Sequence, residues 1–177
     1  MSTLAFSTPR TTLIVPIAAA GSGKSTLLNQ VATSLGDPGF RYGNDDARRD
    51  FYGGVFSQDT SDEVARKARA RATERLRAGL PTALDCTHNG KTSRALALEV
   101  AKSTNARSVA LLCTMNFSQI WARNIARDPS LRVPRSFVWD MTKNVRALTP
   151  KLLRGEGFDA VYCFDAECSD LTIHFTN

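Results

Sequence analysis

Residues 13–28, LIVPIAAAGSGKSTLL, constrain the fold more tightly than any other stretch of the chain. An apolar run gives way to small residues and glycines, then to Gly23-Lys24-Ser25-Thr26 and a helical pattern. The segment reads as strand, tight loop and helix. Glycines 21 and 23 let the backbone turn so that successive N–H groups face one centre, and the helix start adds a partial positive charge. Gly21, Ser22, Gly23, Lys24, Ser25 and Thr26 are therefore expected to cradle phosphates. Lys24 can reach the β- and γ-phosphates of a nucleoside triphosphate such as ATP, and the Ser25 hydroxyl can ligate Mg²⁺. The strict pattern has glycine where this chain has Ala18, a change that removes no phosphate-facing group.

Apolar runs and helical patterns alternate from residue 11 onward. TTLIVPIA (11–18) reads as a strand and residues 24–36 as a helix closed by Gly36. GFRYGN (39–44) reads as a short strand leading into a helix that starts at DDARRDFYG. A long helix is expected over 61–80, with Val64, Ala68, Ala72 and Leu76 as its apolar stripe. Strands over 81–87, 106–114 and 159–165 alternate with helices over 90–104, 116–128 and 137–148, and 171–175 reads as a last strand closing the sheet. The pattern predicts an α/β fold, a parallel sheet with helices on both faces, in one domain spanning 1–177.

Composition excludes several classes. The chain of 177 residues is 42% hydrophobic and 23% charged, ordinary globular usage. No apolar run approaches the roughly 18 residues of a membrane helix, and MSTLAFSTPR carries no secretory pattern, so a cytoplasmic protein with no membrane partner is expected. Cys86, Cys113, Cys163 and Cys168 show no paired spacing and read as buried thiols. The net charge of +6 favours a polyanionic partner. GTPase base-reading signatures are absent, and TALDCT ends in one Asp with no second carboxylate beside it, unlike a motor. A small kinase fits best.

The acceptor side is sought about twenty residues after Lys24, in GNDDARRD. A hydroxyl acceptor needs a carboxylate to take its proton, and an Arg one turn later can hold an acceptor phosphate. Both Asp45-x-x-Arg48 and Asp46-x-x-Arg49 have that spacing. Either Asp could instead cap a helix. In WARNIARDPSLRVPRS, Arg123 and Arg127 fall four apart on one helical face, and Arg132 and Arg135 follow in a proline-broken loop. A lid over about 123–136 that closes on the transferred phosphoryl is the functional reading; a basic solvated helix end is the other. The arginines of ARKARARATERLR read as a solvated face. Asp85 can orient Mg²⁺ through water or cap the next helix, and His88 reads as a loop histidine with local hydrogen bonds rather than a general base.

GSGKST, NDDARRDF, LDCTHN and WARNIARDPSLRVP together resemble the kinase domain of phage polynucleotide 5′-hydroxyl kinases, within a wider group of small P-loop kinases. TPKLLRGEGFDAVYCFD resembles an ending common in that wider group, and the resemblance covers roughly residues 10–165. It implies transfer of the γ-phosphate of ATP to the 5′-hydroxyl end of DNA or RNA. It also implies Asp45 as general base, Arg48 on an acceptor phosphate, Arg127 as the lid arginine and Arg123 beside it on the nucleotide side. Asp85 joins the acceptor side. FDAECSDLT lacks the Asp-x-Asp-x-Thr nucleophile of a phosphatase, so 3′-phosphatase activity is not expected. Rival acceptors are a hydroxymethyl group on a modified base within phage DNA and a sugar or other small molecule, as in zeta-toxin-like kinases.

Overall fold

The computed structural model describes residues 2–54 and 59–176. The chain opens on strand β1 (Ser2–Pro9) and then enters a five-stranded parallel sheet made of β2 (Thr12–Ile17), β3 (Arg41–Gly43), β4 (Thr82–Asp85), β5 (Arg107–Cys113) and β6 (Ala160–Phe164). Their spatial order is β3-β4-β2-β5-β6. The connections carry α1 (Lys24–Leu35), α2 (Asn44–Tyr52), α3 (Ser61–Arg77), α4 (Lys91–Ser103), α5 (Phe117–Ile125), α6 (Arg135–Arg146) and α7 (Pro150–Glu156). Every residue of β2 and β4 is buried, as strands covered on both faces must be. Val64, Ala68, Ala72 and Leu76 are the buried stripe of α3, as their spacing predicts.

β2 sits between β4 and β5, so the chain passes to one side of it for β3 and to the other for β6. Ligands of open α/β sheets bind at the carboxyl ends of the strands beside such a switch point. Pro16 shapes that end. β2 pairs with β5 from Thr12 through Ile17 but with β4 only at Leu13 and Ile14, and Pro16 has no N–H to extend the second ladder. The two chains part there and are held by other bonds. Ala18 N–H donates to Thr87 O at 2.9 Å, and the buried His88 donates from Nδ1 to Pro16 O at 3.0 Å. Burial pushes the His88 imidazole down to about 4, so it is neutral at physiological pH.

Three expectations from sequence need correction. The last strand, β7 (Cys168–Thr176), does not close the central sheet. Only Asp165, Ala166 and Glu167 separate it from β6, too short a link for the crossover that a parallel neighbour requires. Instead β7 pairs in parallel with β1, an N-terminal strand that the sequence pattern had left unassigned. Phe6 of β1 is buried and stacks on Tyr162 of β6, with ring centroids 4.0 Å apart, which seats this two-stranded sheet against the core. The thiols are not uniformly buried either: Cys113 and Cys168 are, Cys86 is half-buried and Cys163 is exposed. The third correction concerns the helix over 116–128, which stops at Ile125, three residues before Asp128-Pro129. The residue before a proline is pushed out of the α region.

His88 gives a pH signature. Between pH 6.5 and about 4 the unfolded chain binds a proton at this residue that the folded chain does not. Stability should therefore fall as pH drops through that window, by up to about 1.4 kcal/mol per pH unit from this group, and be insensitive to it above the window. His88 adopts a left-handed φ of 46°, which Asn tolerates. Urea denaturation at pH 7 and pH 5 should show a smaller acid loss in His88→Asn than in the wild type. Equal losses would mean that His88 is not the buried neutral group.

Candidate active site

The phosphate loop is built from backbone. Gly21 and Gly23 have φ of 89° and 88°, values that an L side chain rarely adopts. A side chain at Gly21 would also press on Ile120 O at 3.2 Å. Ala18, by contrast, is not among the residues with positive φ, so a methyl group replaces the usual glycine without strain. α1 starts on Gly23 with no side-chain cap and no acidic residue in its first turn. Its leading N–H groups are thus left to an anion. Ser22 is buried, and its hydroxyl has no hydrogen-bond partner among the described residues; Ser25 is half-buried and Thr26 exposed.

Lys24 projects toward the end of β4, where its Nζ lies 3.8 Å from Asp85 Oδ1. That oxygen is buried and accepts no hydrogen bond from the described residues, whereas Oδ2 takes a 2.6 Å bond from Arg41. A buried carboxylate oxygen that accepts no hydrogen bond, with an ammonium only as near as 3.8 Å, is costly by itself. It is a fitting ligand for a cation bound beside triphosphate. Asp85 does not cap the next helix, since the N-cap of α4 is Gly90 without a side-chain bond.

Arg41 is the site residue that sequence reasoning missed. From β3 it donates to Asp85 and, at 2.9 Å, to Asp46 Oδ1. Burial works against its charge, but the two carboxylates more than offset it and raise its pKa. Asp46 is buried, takes a further bond from Arg49 and accepts the N–H of the N-cap residue Gly43 at 3.0 Å. Asp46 therefore locks the start of α2. Gly43 itself is compulsory, because a Cβ there would lie 2.0 Å from the Asp85 carbonyl oxygen. The two overlapping Asp-x-x-Arg registers come apart in the fold. Asp46 belongs to the scaffold, while Asp45 is 89% exposed and is joined at 2.6 Å to Arg48, one turn on.

Cys86 fills the gap between Asp85 and α2, its thiol donating to Asn44 Oδ1 at 3.0 Å. Burial pushes it up to about 12, so the thiol stays protonated at neutral pH.

On the opposite side, Arg123 reaches from α5 to Ser22 O at 3.0 Å and to Ala166 O at 2.9 Å, tying the phosphate loop to the β6–β7 turn. Arg127 does not share its helical face, because α5 has ended; it is half-buried in the bend that follows, with its carbonyl bonded by Arg132 Nε. The base of the 125–132 segment is pinned by the buried Asn124. Its side chain donates to Val133 O at 2.9 Å and accepts Val133 N–H at 3.1 Å. Lys24, Asp85, Arg41 and Asp46 form one connected cluster, and Asp45 and Arg48 are carried on the helix that it fixes.

The chain matches the model of an AAA domain over residues 13–148. No curated protein sequence matches it. Among solved structures it is similar to a gluconokinase from Sinorhizobium meliloti 1021, at 20% identity and TM-score 0.56, covering 90% of this chain and 85% of that one. It is similar to the Mycobacterium tuberculosis APS kinase CysC, solved with AMPPNP and APS, at 16% identity and TM-score 0.54, covering 88% and 90%. Kti12 from Chaetomium thermophilum, solved with ADP-AlF3, gives 18% identity, TM-score 0.54 and coverage of 88% and 89%. The fold is that of small P-loop kinases.

If Arg41 joins the two halves of the site, Arg41→Lys should lose one of its two bridges, since an ammonium cannot span both carboxylates as a guanidinium does. The expected cost is about 1–2 kcal/mol, a Tm lower by roughly 2–8 °C in a chain of this size. An unchanged melting curve would show that the joint carries no load.

Proposed function

Because the chain belongs to the AAA domain family and has the fold of small P-loop kinases, we propose that it transfers the γ-phosphoryl group of ATP to a hydroxyl, the 5′-hydroxyl end of a DNA or RNA strand. The observation that carries this reading is the arrangement at the ends of β3 and β4. One acidic residue, Asp85, faces Lys24, and a second, Asp45, stands exposed on the helix that Arg41 and Asp46 hold in place.

In this reading the phosphate loop and Lys24 bind the β- and γ-phosphates. The Ser25 hydroxyl and Asp85 Oδ1 are the residues that would hold Mg²⁺, and the buried oxygen without a hydrogen bond supports that assignment. The ion would neutralise charge on the phosphates. Asp45 accepts the proton of the acceptor hydroxyl as its oxygen bonds to the γ-phosphorus and the bond to ADP breaks. Arg48 exchanges its partner Asp45 for a phosphate of the acceptor strand, Arg127 neutralises the charge on the moving phosphoryl, and Arg123 steadies the nucleotide side. The sequence resemblance and the net charge of +6 support the polynucleotide acceptor. A second reading, a small-molecule hydroxyl, is favoured by the structural neighbours, named as a gluconokinase and an APS kinase. Radiolabelled ATP offered with 5′-hydroxyl DNA, 5′-hydroxyl RNA, nucleosides and gluconate should label strand ends; label on a small acceptor alone favours the second reading.

The two aspartates should separate activity from stability. Asp45→Asn should lower transfer by roughly 10²–10⁴-fold with little change in Tm, because Asp45 is exposed and its attraction to Arg48 is screened by solvent. Asp46→Asn should do the reverse, losing about 1–3 kcal/mol of stability while folded enzyme keeps most of its kcat. A larger kinetic effect at Asp46 overturns the assignment of the base.

Arg48 predicts acceptor preference. A nucleoside 3′-monophosphate offers the phosphate that Arg48 holds, and a plain nucleoside does not. The wild type should favour the former by roughly ten- to a hundred-fold, and Arg48→Ala should shrink that gap mainly through KM. Equal use of both acceptors by the wild type rules out a strand-end site.

A further inference from the structure

α5 has two faces. Ile120 and Asn124 are buried toward the phosphate loop, whereas Phe117 and Trp121 lie on the other side and are only half-buried. α6 adds Trp139, which is 52% exposed. The rings are in contact: Phe117 and Trp121 are near parallel with centroids 6.2 Å apart, and Trp139 meets Phe117 edge-on at 4.9 Å. The Arg135 guanidinium stands 5.3 Å over the Phe117 ring. Between Phe117 and Arg146, six basic side chains outweigh two acidic ones, Asp128 and Asp140, so most of the net charge of the chain resides in this hairpin.

We propose that this outer face of α5 and α6 is a stacking platform for the bases of a single-stranded nucleic acid, which it grips at a distance from the reacting end. The proposal rests on the reading of the acceptor as a polynucleotide. The exposed Trp139 ring, next to Phe117 and the Arg135 guanidinium, suits a ligand that has both π-faces and phosphates, and only an unpaired strand exposes the base faces. A second copy of the chain would bring the same positive charge against itself in a two-fold contact, and duplex DNA would offer phosphates but no open rings.

The chain has only two tryptophans, Trp121 and Trp139, both on this face, so its tryptophan emission reports this surface alone. The probe is an oligodeoxythymidylate of about 10 nucleotides with a 5′-phosphate, which cannot serve as a phosphoryl acceptor at that end. Added to the whole protein, it should quench the emission saturably, and more weakly as salt rises. Trp139→Ala should weaken its binding by roughly 5- to 100-fold, while Trp139→Phe, read through Trp121, should restore it. Neither change should alter kcat with a nucleoside 3′-monophosphate, an acceptor too small to reach the platform.

Three results would overturn the proposal: no quenching, equal affinity for a duplex of the same length, or wild-type oligonucleotide affinity in Trp139→Ala. So would a Trp139-dependent dimer in sedimentation that is unaffected by oligonucleotide. The outcomes also part this inference from the function it rests on. Labelling of 5′-hydroxyl strands without quenching refutes the platform alone; quenching without any labelling of strand ends refutes the strand-end acceptor.

Discussion

The half-buried guanidinium of Arg41 is the joint on which the site depends. It stands between two carboxylates, Asp85 and Asp46, that come from different elements and have different tasks. Buried acidic groups need partners, and removing one member of such a set leaves the others charged and unsolvated. By pairing with both, Arg41 fixes the orientation of Asp85 toward Lys24 and the start of the helix bearing Asp45 and Arg48. The phosphate-loop lysine and the start of α2 are therefore not independent of each other. Lys24, Asp85, Arg41 and Asp46 make one ion-pair network, and α2 carries the separate pair of Asp45 and Arg48 beside it.

That network has room because the central strand separates from its neighbour. Pro16 ends the β2–β4 ladder two residues before the phosphate loop begins, and the buried His88 and the Thr87 carbonyl hold the separated chains in place. A proline in a central strand is ordinarily a defect. Here the missing N–H coincides with the point where the two strands part beside the phosphate loop, and a neutral imidazole donates to the Pro16 carbonyl there. Gly43, with the Asp85 backbone too close for any side chain, brings β3 and β4 together on the other flank.

The side of the site around α5 follows a different logic. Arg123 and Asn124 use their side chains on backbone carbonyls and amides, tying the phosphate loop to the β6–β7 turn and the far end of the 125–132 segment to α5. Between these anchors the segment carries Arg127 and Arg132, and beyond it α6 carries the exposed Trp139 beside Phe117. One helix, α5, thus has polar anchors toward the phosphate loop and, on its other side, the half-buried rings of Phe117 and Trp121.

Much of this was legible in the chain alone. The phosphate loop is local chemistry: two glycines, a lysine and a hydroxyl at fixed spacing, between an apolar run and an amphipathic helix, specify the same strand, turn and helix wherever they occur. The alternation of strands and helices, and with it the parallel sheet, follows from periodicity for the same reason. Some signals were present and unread. Thr149-Pro150 and Gly157 mark the ends of α7, with a capping hydroxyl, a proline at the first turn and a left-handed glycine. Asp128-Pro129 announces the early end of α5. Other features could not be read at any level of care. The pairing of β1 with β7 joins the two ends of the chain and depends on a short turn denying β7 its place in the sheet. Asp45 and Asp46 are indistinguishable by spacing, and only burial, decided by the approach of Arg41 from a neighbouring strand, made one of them scaffold and left the other exposed. Motifs are set by contacts within a few residues. Which carboxylate faces water is set by partners that meet only once the chain has folded.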